Sequence, residues 1–471
     1  MLTHVTATAR AVPLHPVAPA PPRGGADPAG LAGLGACVDD ALRAARVRAD
    51  GPPDPVRFAP LRTRLAAARA ALPTAYRTAF VDPLVARLDR LGERGFARLL
   101  AADPDRAGEA GLLLDMAQAV LQRAEGYQAR PTAAFEEVVS DVYAGFLSAE
   151  SRRGVKPPEA GVLPPLVRWG SAESGPYTWT ARETARLGAG AAVVSLPDAN
   201  ATSGLLAWAA LAHETAGHDL LEADRGLQPE LARAVRSGVT GAGLPAEVAG
   251  YWADRIDEAA SDVLGVLNMG PAAAAGVIGY FRGLNGAWAG RPHLRNVGDA
   301  DDPHPADIVR GYLVAETVRL LSFQGAGRWA DRLTAEVDRD LGRVRLAGTP
   351  VSAEAAKASA AAVARAIVRT PMRALEGRAL GDIQDWSDRD EAVVASLREE
   401  LRGRSGGAPV APAGAYAAHA VAAGVYEAVA GAAPPHGVMD RMVGMLAEMH
   451  RANPDWSSSA RGGRAAAAVA L

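Results

Sequence analysis

The stretch Leu205–Leu221, LLAWAALAHETAGHDLL, decides how the rest of the chain is read. Its apolar run ends in His213, Glu214, His218 and Asp219, four groups that cost free energy to bury unless each has a partner or a metal. An apolar helix that delivers such groups to one place builds a site. The two histidines, however, stand five positions apart. At about 100° per residue, five steps of a regular α-helix turn the second imidazole roughly 140° from the first, too far to share one ligand. One π-type bulge adds a residue to a turn and returns both rings to one face. Gly217, inside that turn, is the residue that accepts an altered backbone most readily. The spacing therefore predicts a π turn between His213 and His218.

A catalytic zinc site needs three protein ligands and an open fourth position. Downstream, residues 251–265 read YWADRIDEAASDVLG and form a second helical segment. Glu258 and Asp262 stand at i and i+4, on one helix face. The stretch from Glu258 to Asp262 resembles the E-x-x-S-D motif of thermolysin-like gluzincins. His213-Glu214-Thr215-Ala216-Gly217-His218 is similar to the H-E-x-x-G-H motif of the dipeptidyl peptidase III family, one residue longer than the H-E-x-x-H of zinc hydrolases. The resemblance covers two short motifs in about a tenth of the chain. It implies that His213, His218 and Glu258 hold Zn2+, that Glu214 is the general base, and that Asp262 fixes a ligand imidazole from behind. Asp219 and Asp257 are further candidates for that supporting role.

In such a site zinc lowers the pKa of a bound water towards ~7 and Glu214 shuttles its proton to the leaving amine. Peptidases of this kind add a side-chain donor for the developing oxyanion. His304, Arg310 and Tyr312, in DPHPADIVRGY at 302–312, are the candidates; each is equally readable as a cap or packing residue. His293 has a weaker case, and His4, His15, His419, His436 and His450 lie far from both motifs.

Bulk properties narrow the classes of function. The chain has 471 residues with 50 basic and 53 acidic side chains, a formal charge of −3, and so no electrostatic footprint for nucleic acid or an anionic membrane. The expected partner is a peptide or protein substrate; the sequence does not fix an oligomeric state. Cys37 stands alone, which rules out a disulfide framework and a thiolate zinc site. No secretory signal or membrane-spanning run is legible, which fits a cytoplasmic protein. Two other readings stay open. One is a helical scaffold whose His/Glu/Asp network is structural. The other is an HD-type phosphohydrolase built on His218-Asp219, although it lacks an upstream histidine between His15 and His213.

The expected fold is mainly α with a small β-sheet, a zincin-like catalytic core flanked by helical regions. Residues 1–56 read as a disordered or loosely helical leader, 57–150 as an N-terminal helical region, 151–350 as the metal-binding region, 351–455 as a C-terminal helical region and 456–471 as a disordered tail. Short strands are expected at 162–169, 176–179 and 191–197. Ala192–Leu196 is the proposed edge to which an extended substrate would add. Helical periodicity is read from Ala306 to Phe323 and on to Leu346.

Overall fold

The computed structural model describes residues 30–48, 51–147, 163–222, 224–402, 411 and 414–456. Most of the leader and the tail expected from the sequence lie outside these residues. The described chain is mainly helical, with two small three-stranded sheets. None of its helices is long and apolar enough to cross a membrane.

The elements that matter to the site are, in chain order, α1 (Leu34–Arg46), α2 (Glu109–Ala124), α3 (Ala129–Leu147), β1 (Leu166–Gly170), β2 (Tyr177–Trp179), β3 (Val193–Pro197) and α4 (Leu206–Ala212). They are followed by α5 (Ala246–Ala253), α6 (Ile256–Met269), α7 (Pro271–Trp288), α8 (Asp307–Arg319), α9 (Ala326–Asp338), α10 (Ala353–Arg369), α11 (Ala417–Val429) and α12 (Pro435–Ala452). Helices α4 and α6 are sheathed by others: α7 lies along both, with α8 against α6 and α11 against α4. All contribute to one large apolar core. Helix α1 belongs to that core, where Leu34, Cys37, Val38 and Ala41 are buried and pack towards α7. A second, smaller core joins residues 61–121 to the strands through Leu166, Ala191 and Val193.

The first sheet has the order β1-β3-β2, with β1 parallel and β2 antiparallel to β3. This corrects the expected edge. The segment Ala192–Leu196 supplies the central strand, paired on both sides and wholly buried. All five residues of β3 are buried, Ser195 among them, the pattern of a strand covered on both faces. Of the two outer strands β1 is buried, whereas β2, in register with β3 as Tyr177–Ser195, Thr178–Val194 and Trp179–Val193, is partly exposed.

Helical periodicity also ends sooner than expected after α9. A hairpin follows, Val344–Leu346 against Thr349–Val351, and pairs with Val297–Gly298 in the second sheet. Ala347 and Gly348 both adopt positive φ, 46° and 82°, as a two-residue hairpin turn of the primed type requires. Alanine carries no sequence signal for that conformation, so the turn was hidden.

Candidate metal centre

Helix α4 forms because Leu206–Ala212 is rich in Leu and Ala and buries nearly every side chain. Its N-terminal backbone donors are satisfied from another element: Gly204 and Leu205 N–H donate to Asp40 Oδ2 of α1 at 2.9 and 3.1 Å. The chain then leaves the α-helical register. Residues His213–Asp219 form a π-helical turn, as the five-residue spacing requires. The two imidazoles consequently meet, with His213 Nε2 at 3.1 Å from His218 Nε2.

The π turn packs against α6, and the facing residues of α6 recur at helical spacing: Glu258, Ser261, Asp262 and Gly265. Gly217 has no positive φ. Its role differs from the one expected, because a Cβ there would lie 2.3 Å from Ser261 Cβ and 2.6 Å from Ser261 Cα. Glycine is required for close approach of the two helices. Gly265, on the other side, lies against the backbone of His213.

His213, His218 and Glu258 place one ligand atom each within 4.8 Å of one another, and form the one such group of three or more His, Cys, Asp or Glu among the described residues. Glu258 Oε2 lies 3.5 Å from His213 Nε2, and Oε1 lies 3.5 Å from His218 Nε2. A tetrahedral ion with bonds of 2.0–2.1 Å spaces its ligands by about 3.3 Å, so these separations suit a small divalent metal ion. Each ring is oriented from behind. His213 Nδ1 donates to Asp262 Oδ1 at 3.0 Å and His218 Nδ1 to Asp257 Oδ2 at 2.9 Å. Both Nε2 lone pairs are thereby turned inward. Glu258 Oε2 is buried without a hydrogen-bond partner. Two inward imidazole acceptors and a carboxylate oxygen without a hydrogen-bond partner converge as a donor set, so the residues present fit a divalent metal.

The surrounding charges are graded. Burial alone would raise the Asp262 carboxyl, but Arg310 and His213 hold it well below the usual carboxylate range. Glu258 is likewise kept low, against its burial, by Arg310 and the imidazoles. Burial works against a charged His218, yet its bond to Asp257 and the Glu258 and Glu214 carboxylates lift it to about 10.

The other sequence candidates divide. Arg310 comes to the site, but as a buried counter-ion: Nε and Nη2 donate to Asp262 at 2.7 and 2.8 Å, and Nη2 lies 3.2 Å from Glu258 Oε2. His304 also comes to the site, with Nε2 at 3.4 Å from Glu258 Oε1 and Nδ1 donating to Asp302 at 2.9 Å. Tyr312 does not. Two residues further along α8, about 200° round the helix, it faces away, and its hydroxyl donates to Asp338 at 2.7 Å. Asp219 is also directed elsewhere, accepting the Ala181 N–H at 2.8 Å, while burial pushes its carboxyl up to about 7. Asp257 takes the supporting role on His218, and the His218-Asp219 pair does not act as one unit.

Glu214 has a partner that the sequence did not reveal. Thr178 on β2 donates to Glu214 Oε2 at 2.8 Å and also lies 3.1 Å from its carbonyl oxygen. Edge strand and carboxylate are thus joined directly. Buried Tyr280 on α7 is close enough for Glu214 to add to the upward shift that burial gives its phenol. Behind β2, Asp115 of α2 accepts from Tyr177 Oη at 2.5 Å and Trp179 Nε1 at 2.7 Å and is paired with Arg168. The strand is therefore fixed from its far side. No family model, curated protein or solved structure matches the chain.

Proposed function

We propose that this protein is a zinc-dependent hydrolase that cleaves peptide bonds with an activated water, a divergent relative of the gluzincins. The observation that carries the reading is the convergence of His213, His218 and Glu258 with the carboxylate of Glu214 beside them on the same π turn. His213, His218 and Glu258 would hold the ion. Zinc there would supply Lewis-acid polarisation of a carbonyl and a water of lowered pKa.

The protein's own groups account for the remaining tasks. Glu214 takes a proton from the attacking water and returns it to the leaving amine, and Thr178 fixes the carboxylate rotamer for both transfers. Asp262 and Asp257 hold the imidazoles in one tautomer. Arg310 balances Asp262 and Glu258, which would otherwise resist burial as anions. His304, on the exposed side of Glu258, is the donor best placed to bond a developing oxyanion. A peptide substrate is favoured over other amides by β2: an extended backbone can add to that edge, and Thr178 there bonds the base.

The test is metal content followed by activity. Purified wild type should carry about one zinc per chain, and His213→Ala and Glu258→Ala should lose it. Glu214→Gln should retain zinc and lose cleavage of a peptide library. A folded wild type that rejects added zinc would overturn the proposal and leave a structural His/Glu/Asp network as the account.

A further inference from the structure

We infer that His304 is a fourth, exchangeable metal ligand that closes the centre at rest, a regulation of the site that rests on the zinc reading given above. Three imidazoles surround Glu258, and all three are wired alike. His213, His218 and His304 each place Nδ1 on a carboxylate, Asp262, Asp257 and Asp302, at 3.0, 2.9 and 2.9 Å. Each also turns Nε2 towards Glu258, at 3.5, 3.5 and 3.4 Å. A ligand histidine ordinarily donates its second ring nitrogen to a carboxylate or carbonyl, which fixes the tautomer and raises the basicity of the ligating atom. His304 meets that description as fully as the other two. Its distance to Glu258 is also close to the ~3.3 Å between ligands of a tetrahedral zinc ion.

A histidine–aspartate pair alone does not make a ligand. His293 donates to Asp340 at 3.0 Å in the same way, on an exposed loop. The difference is that His304 faces Glu258 and is held there by several elements. Arg255, at the start of α6, donates to the carbonyls of Asp299 and Ala300 at 2.8 Å each. Tyr251 Oη, on α5, accepts the Ala306 N–H at 2.8 Å. Pro303 and Pro305 flank His304 and restrict its backbone. Asp302 is itself pinned by Arg295 at 3.1 Å and by the His304 N–H at 2.9 Å. The segment preceding Glu258 thus anchors the loop bearing His304.

His304 approaches the cluster through Glu258 and lies outside the group whose atoms are mutually within 4.8 Å. Its side chain is 51% exposed and has room to pivot about its own bonds. Turned inward, it completes a three-histidine, one-glutamate set and excludes solvent from the fourth position. A substrate carbonyl entering along β2 takes that position. The displaced imidazole, its Nδ1–H still bonded to Asp302, takes up a proton from solvent on Nε2 and then donates it to the carbonyl oxygen.

The test is X-ray absorption at the zinc edge on zinc-loaded full-length wild type, His304→Ala and His293→Ala, with imidazoles counted from multiple scattering. Three imidazoles in wild type and in His293→Ala, and two in His304→Ala, are expected. Zinc release to a chelator should be about 10- to 100-fold faster in His304→Ala. Two imidazoles in both wild type and His304→Ala would overturn the inference while leaving the metal centre intact. A folded wild type without zinc would overturn the metal reading itself, a different failure. Loss of zinc through misfolding of His304→Ala is checked by the melting curve of the metal-free variant.

Discussion

Replacing Gly217 by alanine tests how tightly the two motifs must approach. The added Cβ would stand 2.3 Å from Ser261 Cβ, 2.4 Å from its Oγ and 2.6 Å from its Cα. Carbon atoms in contact sit about 3.5–4.0 Å apart, so the π turn and α6 must separate by roughly 1 Å or more. Overpacking of this kind costs about 1–3 kcal/mol of stability. The larger effect falls on the metal centre, because His218 sits next to Gly217 while Glu258 and Asp262 flank Ser261. Moving Glu258 Oε1 from its 3.5 Å separation to about 4.5 Å from His218 Nε2 takes the pair well past the ~3.3 Å spacing that zinc ligands keep. Zinc affinity should fall at least tenfold, and more if the carboxylate detaches. The assay is competition for zinc with a chromophoric chelator, run beside thermal unfolding of the metal-free protein. Ser261→Gly in the same background removes the Cβ and Oγ clashes but leaves the Cα at 2.6 Å, so rescue should be partial. Gly217→Ala with wild-type affinity and melting temperature would refute the claim that close helix contact sets the ligand geometry.

Thr178→Val removes one hydrogen bond to a charged acceptor, a loss of about 1.5–3 kcal/mol, so peptide cleavage should drop roughly 10- to 100-fold in kcat with zinc content unchanged. Equal activity in the two proteins would show that Glu214 is positioned by something else. Zinc binding near neutral pH should release about one proton, because His218, lifted to about 10, must shed its charge to ligate. Calorimetry in buffers of different ionisation enthalpy measures it. In the metal-free fold, the stability that His218 contributes is complete below its ordinary value of 6.5 and is lost as pH rises through about 10, so zinc should be bound more tightly as pH increases across this window. Glu137, on α3, is pushed up to about 8 by burial and by Asp141, so the folded state binds the extra proton and stability falls as pH rises from about 4.5 to about 8. Glu137→Gln should flatten the melting temperature across that range, and an unchanged slope would assign it to other groups.

What was legible in the sequence was local. Five-residue spacing of His213 and His218 dictated a π turn, because no regular helix brings the two rings together. The four-residue spacing of Glu258 and Asp262 dictated a shared face, now seen opposite that turn. Partners brought by the tertiary fold left no such trace. Thr178 lies 36 positions before Glu214 on a strand whose edge position depends on where β3 pairs, and a short β-forming run such as Ala192–Leu196 reads alike as edge or as centre. Arg310 and Tyr312 stand two apart on one helix and necessarily face different ways, so one reaches Asp262 and the other Asp338. Candidate status could be read from residue type, but not which of the two faced the site.

The inserted residue in the first motif is as consistent with a structural network as with a cation site, and the burial pattern favours the second. Asp262, Glu258 and Arg310 are all nearly inaccessible, and an ion pair of this kind gives a core little net stability over apolar side chains of equal volume. A structural network would also be expected to satisfy its own atoms, yet Glu258 Oε2 has no hydrogen-bond partner and the two Nε2 atoms face each other. Groups that are expensive to bury, incompletely bonded among themselves and aimed at one point become self-consistent once a cation occupies that point. The π turn preserves that convergence despite the extra residue, and Gly217 lets α6 close against it. The insertion is thereby accommodated by residues on two separate elements, which keeps both rings and Glu258 directed at one point.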